Sequence, residues 1–119
     1  MKKSGGIWTV FLLSLLLVGC ATSSRDMNYM NQGFDELSNS NFQKAEEYLD
    51  KALSINPDNL YAILNLGVVY QNTGRREKAR EMYQKVIDRE SKSPASRSNK
   101  DWAFGEKLAD IARRNLKNL

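Results

Sequence analysis

Apolar residues recur along much of this chain at three- and four-residue steps. From Leu60 to Val86 the pattern is clearest. Ile63, Leu66, Gly67 and Tyr70 share one face at helical spacing. Asn72-Thr73-Gly74-Arg75 then interrupts the pattern, and Gly74 can take the left-handed conformation that helix ends often need. Ala79, Tyr83 and Val86 resume it on a second helix. A helix pair of this kind cannot cover its own apolar face, so it needs a similar neighbour.

The neighbour lies 34 residues upstream: Tyr29, Gly33, Ala45, Leu49 and Ala52 fall on Ile63, Gly67, Ala79, Tyr83 and Val86. Pro57 closes the first copy just before the second begins. The spacing predicts helices over about 26–38, 42–55, 58–71 and 76–89. Asn41 is placed to cap the second of these through its side-chain oxygen, and Asn56-Pro57 to end it. After the polar stretch SKSPASRSN, Ser98 with Asp101 predicts the start of a fifth helix. One of its faces would hold Trp102, Gly105, Leu108, Ala109, Ala112 and Leu116, with Phe104 and Ile111 beside it. Arg113, Arg114 and Lys117 would lie near the negative end of its dipole.

Leu66-Gly67-x-x-Tyr70, Gly74, Ala79 and Tyr83 resemble the tetratricopeptide repeat, whose period is about 34 residues. In the first copy, Gln32 stands where the family prefers a large apolar residue, Glu36 where it prefers tyrosine, and Ser40 replaces the turn glycine. The resemblance implies an all-α fold: two helix-turn-helix repeats of a right-handed α-solenoid, over 26–59 and 60–93. A linker and capping helix would follow over 94–119. The repeats would pack through Gly33, Ala45, Leu49, Ala52, Gly67, Tyr70, Ala79 and Tyr83. Two repeats fall short of the roughly three needed for stability, so the last helix or a second copy of the chain must cover the open end.

The family's first helices line a groove that binds peptides. Carried onto this chain, the lining is Met27, Met30, Phe34 and Leu37 from the first copy, and Tyr61, Leu64, Val68 and Gln71 from the second, with Asn65 and Asn72 near the edge. One family variant clamps a peptide's carboxylate with lysines and asparagines. Met30 and Phe34 stand where that variant needs lysine and asparagine, so the clamp is absent. Flexible methionines suit an apolar or amphipathic protein segment instead. The groove has three candidate occupants: such a partner, the chain's own C-terminal helix, or a second copy forming a homo-oligomer.

The N-terminus carries separate information. Met1-Lys2-Lys3 precedes a 12-residue, mostly apolar run, Ile7–Val18. A bilayer-spanning helix takes about 20 residues, so this run suits a signal segment. Leu17-Val18-Gly19-Cys20 resembles the bacterial lipobox. The resemblance implies a signal peptide over 1–19, cleavage before Cys20, acylation of its thiol, and a tether over 20–25. Two acyl chains suffice for a stable membrane anchor. Ala21, in place of the aspartate that retains such lipoproteins at the inner membrane, points to the outer membrane facing the periplasm.

Composition narrows the function. The chain has 119 residues and a net charge of +4. Loss of Lys2 and Lys3 would leave 16 basic and 14 acidic residues, too mild a balance for nucleic-acid binding. The charge is uneven. Cys20–Gly74 holds 3 basic and 7 acidic residues, whereas Arg75–Leu119 holds 13 basic and 7 acidic. That polarity can steer a partner or direct head-to-tail stacking. With no histidine and one cysteine, the chain lacks Ser-His and Cys-His nucleophile pairs and the usual zinc clusters. Glu46, Glu47 and Asp50 are the remaining acid–base candidates, but consecutive helical carboxylates point about 100° apart and do not converge on one atom. The expectation is a non-catalytic adaptor without metal or cofactor.

Overall fold

The computed structural model of the protein describes residues 25–92, 102–103 and 106–119. Five helices, α1 (25–38), α2 (Phe42–Ile55), α3 (Leu60–Asn72), α4 (Arg76–Lys92) and α5 (Leu108–Lys117), account for nearly all of them. The signal segment, Cys20, the tether up to residue 24 and the linker sequence SKSPASRSN beyond Lys92 lie outside the described residues.

Two layers of side chains hold the helices together. Ala45, Leu49 and Ala52 of α2 pack with Met30 of α1 and with Ala62, Leu66 and Val69 of α3. Ile63 and Leu64 of α3 pack with Ala79, Tyr83 and Val86 of α4 and with Leu108 and Ala112 of α5. Helix α3 therefore faces apolar neighbours on both sides, and it buries Ala62, Ile63, Leu64, Leu66, Gly67 and Val69. That double burial explains why its sequence, LYAILNLGVVYQN, is apolar almost all round.

The two glycines at equivalent positions mark the closest approaches. A β-carbon on Gly33 would lie 2.6 Å from Leu49 Cγ, and one on Gly67 would lie 2.5 Å from Tyr83 Cε1. The turns also repeat. Ser40 (φ 61°) and Gly74 (φ 77°) both take the left-handed conformation. In each turn the following N–H reaches back five residues: Asn41 to the Glu36 carbonyl and Arg75 to the Tyr70 carbonyl, both at 2.8 Å. This is the Schellman closure of a helix C-terminus. Ser40 adopts it without the freedom of glycine, held by the same hydrogen bonds.

Three expectations are corrected. Asn41 makes no side-chain cap to α2; its amide instead donates to Glu36 Oε2 at 2.8 Å. The side-chain cap belongs to Asn59, whose Oδ1 accepts the Ala62 N–H at 3.0 Å, so α3 begins at Leu60. The fifth helix is also shorter than its apolar stripe. Trp102–Ala103 pairs antiparallel with Glu106–Lys107, and the helix starts only at Leu108. Its start is fixed from another helix: buried Glu90 of α4 accepts the Ala109 N–H at 2.6 Å. A carboxylate there satisfies an orphan amide and complements the positive end of the helix dipole.

Polar contacts also tie the repeats together, Arg89 to Asp58 among them. Asp26, almost wholly buried at the start of α1, accepts amide protons from Asn56 (2.8 Å) and Asn59 (3.0 Å) in the α2–α3 turn. On the opposite side, Arg75 forks onto both oxygens of Glu46 at 2.9 and 2.7 Å and lies over the Tyr70 ring.

Tyr83 is fully buried, and its hydroxyl donates to Gln71 Oε1 at 2.7 Å. Burial pushes its phenol from 10.0 up to about 12, with a hydrogen bond to Asn115 pulling the other way. The folded chain thus keeps this proton more tightly than the unfolded chain. The stability it contributes is complete below pH 10 and is lost as pH rises toward about 12. Tyr83→Phe should therefore move the alkaline unfolding midpoint upward, followed by circular dichroism and phenolate absorbance. An unchanged midpoint would mean that another group governs alkaline unfolding.

Candidate functional site

The inner faces of α1 and α3 meet along one side of the molecule, and α5 closes the third side. Between them lies an open cavity of about 480 Å³. Helix α1 contributes Met30, Asn31 and Phe34; α3 contributes Tyr61, Leu64, Asn65 and Val68. The remaining wall is Leu108, Ile111 and Arg114 of α5, with Glu106 just before it. The surface is mostly carbon, with polar groups at the rim.

Helical spacing explains this convergence. Met30 and Phe34 lie one turn apart on α1, as do Leu64 and Val68 on α3. The glycine contacts commit the adjacent face of each helix to α2 or α4, and these residues line the groove beside it. Met30 and Leu64 are buried at 7% and 6% exposure and form the floor. Phe34 stands 40% exposed above it.

Five of the residues assigned to the groove from the sequence, Met30, Phe34, Tyr61, Leu64 and Val68, meet at this cavity. Three do not. Leu37 turns into the first core layer. Gln71 is engaged by the Tyr83 hydroxyl. Met27 is 38% exposed, and its sulfur takes a long contact from the Asn59 amide at 3.5 Å. Asn65 orients its amide toward Met30 Sδ at 3.8 Å, and Asn72 bonds back to the Val68 carbonyl. Helix α5 lines the groove without filling it. Its contribution was hidden in the sequence, because Ile111 and Arg114 reach the cavity only through the way α5 docks on α4.

The residues assigned to repeat packing are deeply placed. Ala45, Leu49, Ala52, Ala79 and Tyr83 are fully buried. Tyr70 is half-buried between the two layers, under Arg75.

The three carboxylates weighed as acid–base groups have structural surroundings. The Arg75 hydrogen bond holds Glu46 below its ordinary value, and Lys51 does the same for Glu47 at 2.7 Å. Asp50 is pushed up by burial and then by the Glu46 charge. Among the described residues, no three His, Cys, Asp or Glu side chains gather as metal ligands. No helix among them is long and apolar enough to cross a membrane.

Residues 36–98 match the sequence profile of the tetratricopeptide repeat family, more than half of the chain. The chain belongs to the tetratricopeptide repeat family. The match agrees with the observed helix pairs. A protein O-mannosyl-transferase of Caenorhabditis elegans is 31% identical over 71 residues, 60% of this tetratricopeptide chain and 10% of that protein. The photosystem I assembly protein Ycf3 of Synechococcus sp. (strain CC9902) is 28% identical over 115 residues, 94% of this chain and 65% of Ycf3. Ycf3 of Parasynechococcus marenigrum (strain WH8102) matches to the same extent. The chain thus spans less than two thirds of each of these relatives. No solved structure matches it. Tetratricopeptide repeats are protein–protein interaction scaffolds, and in this member the repeats present an apolar groove with a helical third wall.

Proposed function

We propose that this tetratricopeptide protein is a non-catalytic adaptor. Its groove between α1, α3 and α5 receives an apolar or amphipathic segment of a protein partner. The observation that carries this reading is the placement of Phe34. It is a large aromatic side chain left 40% exposed at the edge of an apolar cavity, while Val68, its equivalent in the second repeat, is partly buried. Exposed apolar surface of this kind marks interaction sites. The assembly role named for Ycf3 supports an adaptor that brings proteins together.

In the same proposal, Cys20 carries the lipid that holds the adaptor at the cell envelope, at the outer membrane facing the periplasm. The lipobox-like Leu17-Val18-Gly19-Cys20 and Ala21 support that placement. Pilus, secretion or envelope assembly would be the setting. The charge asymmetry between the two halves of the chain favours a second reading, a homo-oligomer built by stacked repeats. Light scattering on the chain truncated to remove the Cys20 anchor distinguishes them: the adaptor reading expects a monomer at micromolar concentration, the stacked reading a concentration-dependent mass.

Phe34→Asp tests the groove directly. The side chain is 40% exposed and belongs to neither core layer, so helix content and melting should stay near wild type. Capture of the native partner in a pull-down from the envelope should fall about tenfold or more, as for a central aromatic anchor. Unchanged capture by a folded Phe34→Asp protein would refute the groove as the binding site.

A further inference from the structure

Met27, Met30 and Met82 are the methionines beyond the signal segment, and their surroundings differ. Met82 packs against both core layers. Met27 is 38% exposed and lies outside the cavity lining. Met30 is only 7% exposed, yet it lines the open cavity, so a molecule little larger than water reaches it through the groove.

A thioether takes one oxygen atom from a peroxide. The sulfur lone pair attacks a peroxide oxygen, the O–O bond breaks and an S–O bond forms. The proton on the transferred oxygen passes to the departing hydroxide, which leaves as water. Sulfur is oxidised by two electrons and the peroxide is reduced by two. The product, a methionine sulfoxide, is polar where the thioether was apolar. Inside a fold such an oxygen is costly unless a donor meets it. At Met30 a donor is already in place. The Asn65 amide of α3 points at Met30 Sδ from 3.8 Å. Sulfur accepts weakly, and an oxygen added on that side comes within ordinary N–H···O range.

We infer that Met30 is a reversible oxidation site that regulates the groove: hydrogen peroxide converts its thioether to the sulfoxide, and Asn65 holds the new oxygen. The fold stays intact while the floor turns polar. This rests on the groove being the binding site proposed above. Met30 shares the floor with Leu64 and Leu108, the seat offered to an apolar segment. A sulfoxide oxygen accepts more than one hydrogen bond, and Asn65 supplies one. An apolar segment laid over it strips the remaining water without replacing it, so the oxidised groove holds such a segment less tightly. Enzymatic reduction of the sulfoxide restores the seat. Met27 also oxidises, but its sulfur faces the Asn59 amide at 3.5 Å, outside the cavity lining.

The test treats the full-length chain, anchored in saturated phosphatidylcholine vesicles, with hydrogen peroxide and maps each methionine by mass. Met27 should gain an oxygen first and Met30 next, with helix content and melting near those of the untreated chain. In Asn65→Leu the same oxidation should lower the melt, because the oxygen then lacks its donor. In the native envelope, with a photoreactive amino acid at Leu64, peroxide should cut the adduct about tenfold, the scale of one unpaired polar group in an apolar seat. Methionine sulfoxide reductase should restore it. Met30→Leu, compared with its own untreated yield, should lose nothing, which separates Met30 from oxidation of the partner. Met30 left unoxidised while Met27 is converted would overturn the inference. So would a Met30 sulfoxide that unfolds the wild-type chain, or an equal loss of adduct in Met30→Leu. No adduct from the untreated chain would overturn the groove reading and the regulatory role with it, while the mass map and melts still decide whether Met30 and Asn65 form the oxidation site.

Discussion

Replacing Gly67 by valine is expected to destabilise the fold by more than about 3 kcal/mol. A β-carbon at position 67 falls 2.5 Å from Tyr83 Cε1 and 2.8 Å from Cδ1, well inside contact distance. The Tyr83 ring has little room to retreat. It is fully buried, and its hydroxyl is held by Gln71. Alanine would gain about 1 kcal/mol of helix propensity over glycine, but overpacking costs about 1–3 kcal/mol. Gly67→Ala should therefore be mildly destabilised. Valine adds two methyl groups to the same clash, and a loss above about 3 kcal/mol follows. Gly74→Ala is the control. An added β-carbon there meets nothing within 4 Å, and only the positive φ of 77° opposes it, at about 1–2 kcal/mol. Urea denaturation of the three variants should rank them Gly67→Val, then the two alanine variants. A Gly67→Val protein as stable as wild type would show that α3 and α4 do not approach at this point.

The second large effect concerns the C-terminal helix. Leu108→Ala should destabilise the whole protein by about 2–5 kcal/mol, the usual range for deleting a buried leucine. Leu108 is fully buried against the second core layer, with Ala112 beside it. That layer also contains Ala79, Tyr83 and Val86, the inner stripe of the second repeat. Two repeats leave this stripe without a third to cover it, and α5 supplies the cover. For a domain of this size each kcal/mol moves the melting temperature by roughly 4–8 °C. A drop of about 10 °C or more is the expected result in a thermal melt. A change confined to α5, with α1–α4 melting as before, would contradict the single cooperative unit. Because Leu108 also lines the groove, the same variant should weaken partner capture, unlike a helix-surface change on the far side of α4.

Much of this architecture was legible in the residues. The 34-residue register aligned Gly33 with Gly67 and Leu49 with Tyr83, and in the fold each glycine meets the large residue of its own repeat. The end of α2 followed from Asn56-Pro57, whereas its start was assigned through an Asn41 side-chain cap that the fold does not form. The C-terminal region was harder to read. Its apolar residues keep helical spacing back to Trp102, yet Trp102–Ala103 pairs with Glu106–Lys107 and the helix begins at Leu108. What fixes that start is Glu90, 19 residues away in sequence and on another helix. Periodicity carries no trace of such a contact. Asp26 is similar: its burial depends on Asn56 and Asn59, which only the folded turn brings to it.

The site divides along the same line. Met30, Phe34, Tyr61, Leu64 and Val68 were recoverable because their own helices set their direction. Leu37 and Gln71, near the helix ends, were drawn into core and hydrogen-bonded positions by α2 and Tyr83. Arg114 and Ile111 joined the groove through the docking of α5, a tertiary event with no local signature. The polar and charged character of the rim, on which partner choice depends, comes largely from that late-arriving wall.

The account rests on the groove between α1, α3 and α5 being the surface that holds a partner. The most direct measurement is photocrosslinking in the native envelope, with a photoreactive amino acid placed either at Leu64 on the groove floor or at Gln84 on the exposed face of α4. The account predicts a discrete adduct from position 64, lost in the Phe34→Asp background, and none from position 84. An adduct from position 84 alone, or one from position 64 that survives Phe34→Asp unchanged, would contradict it.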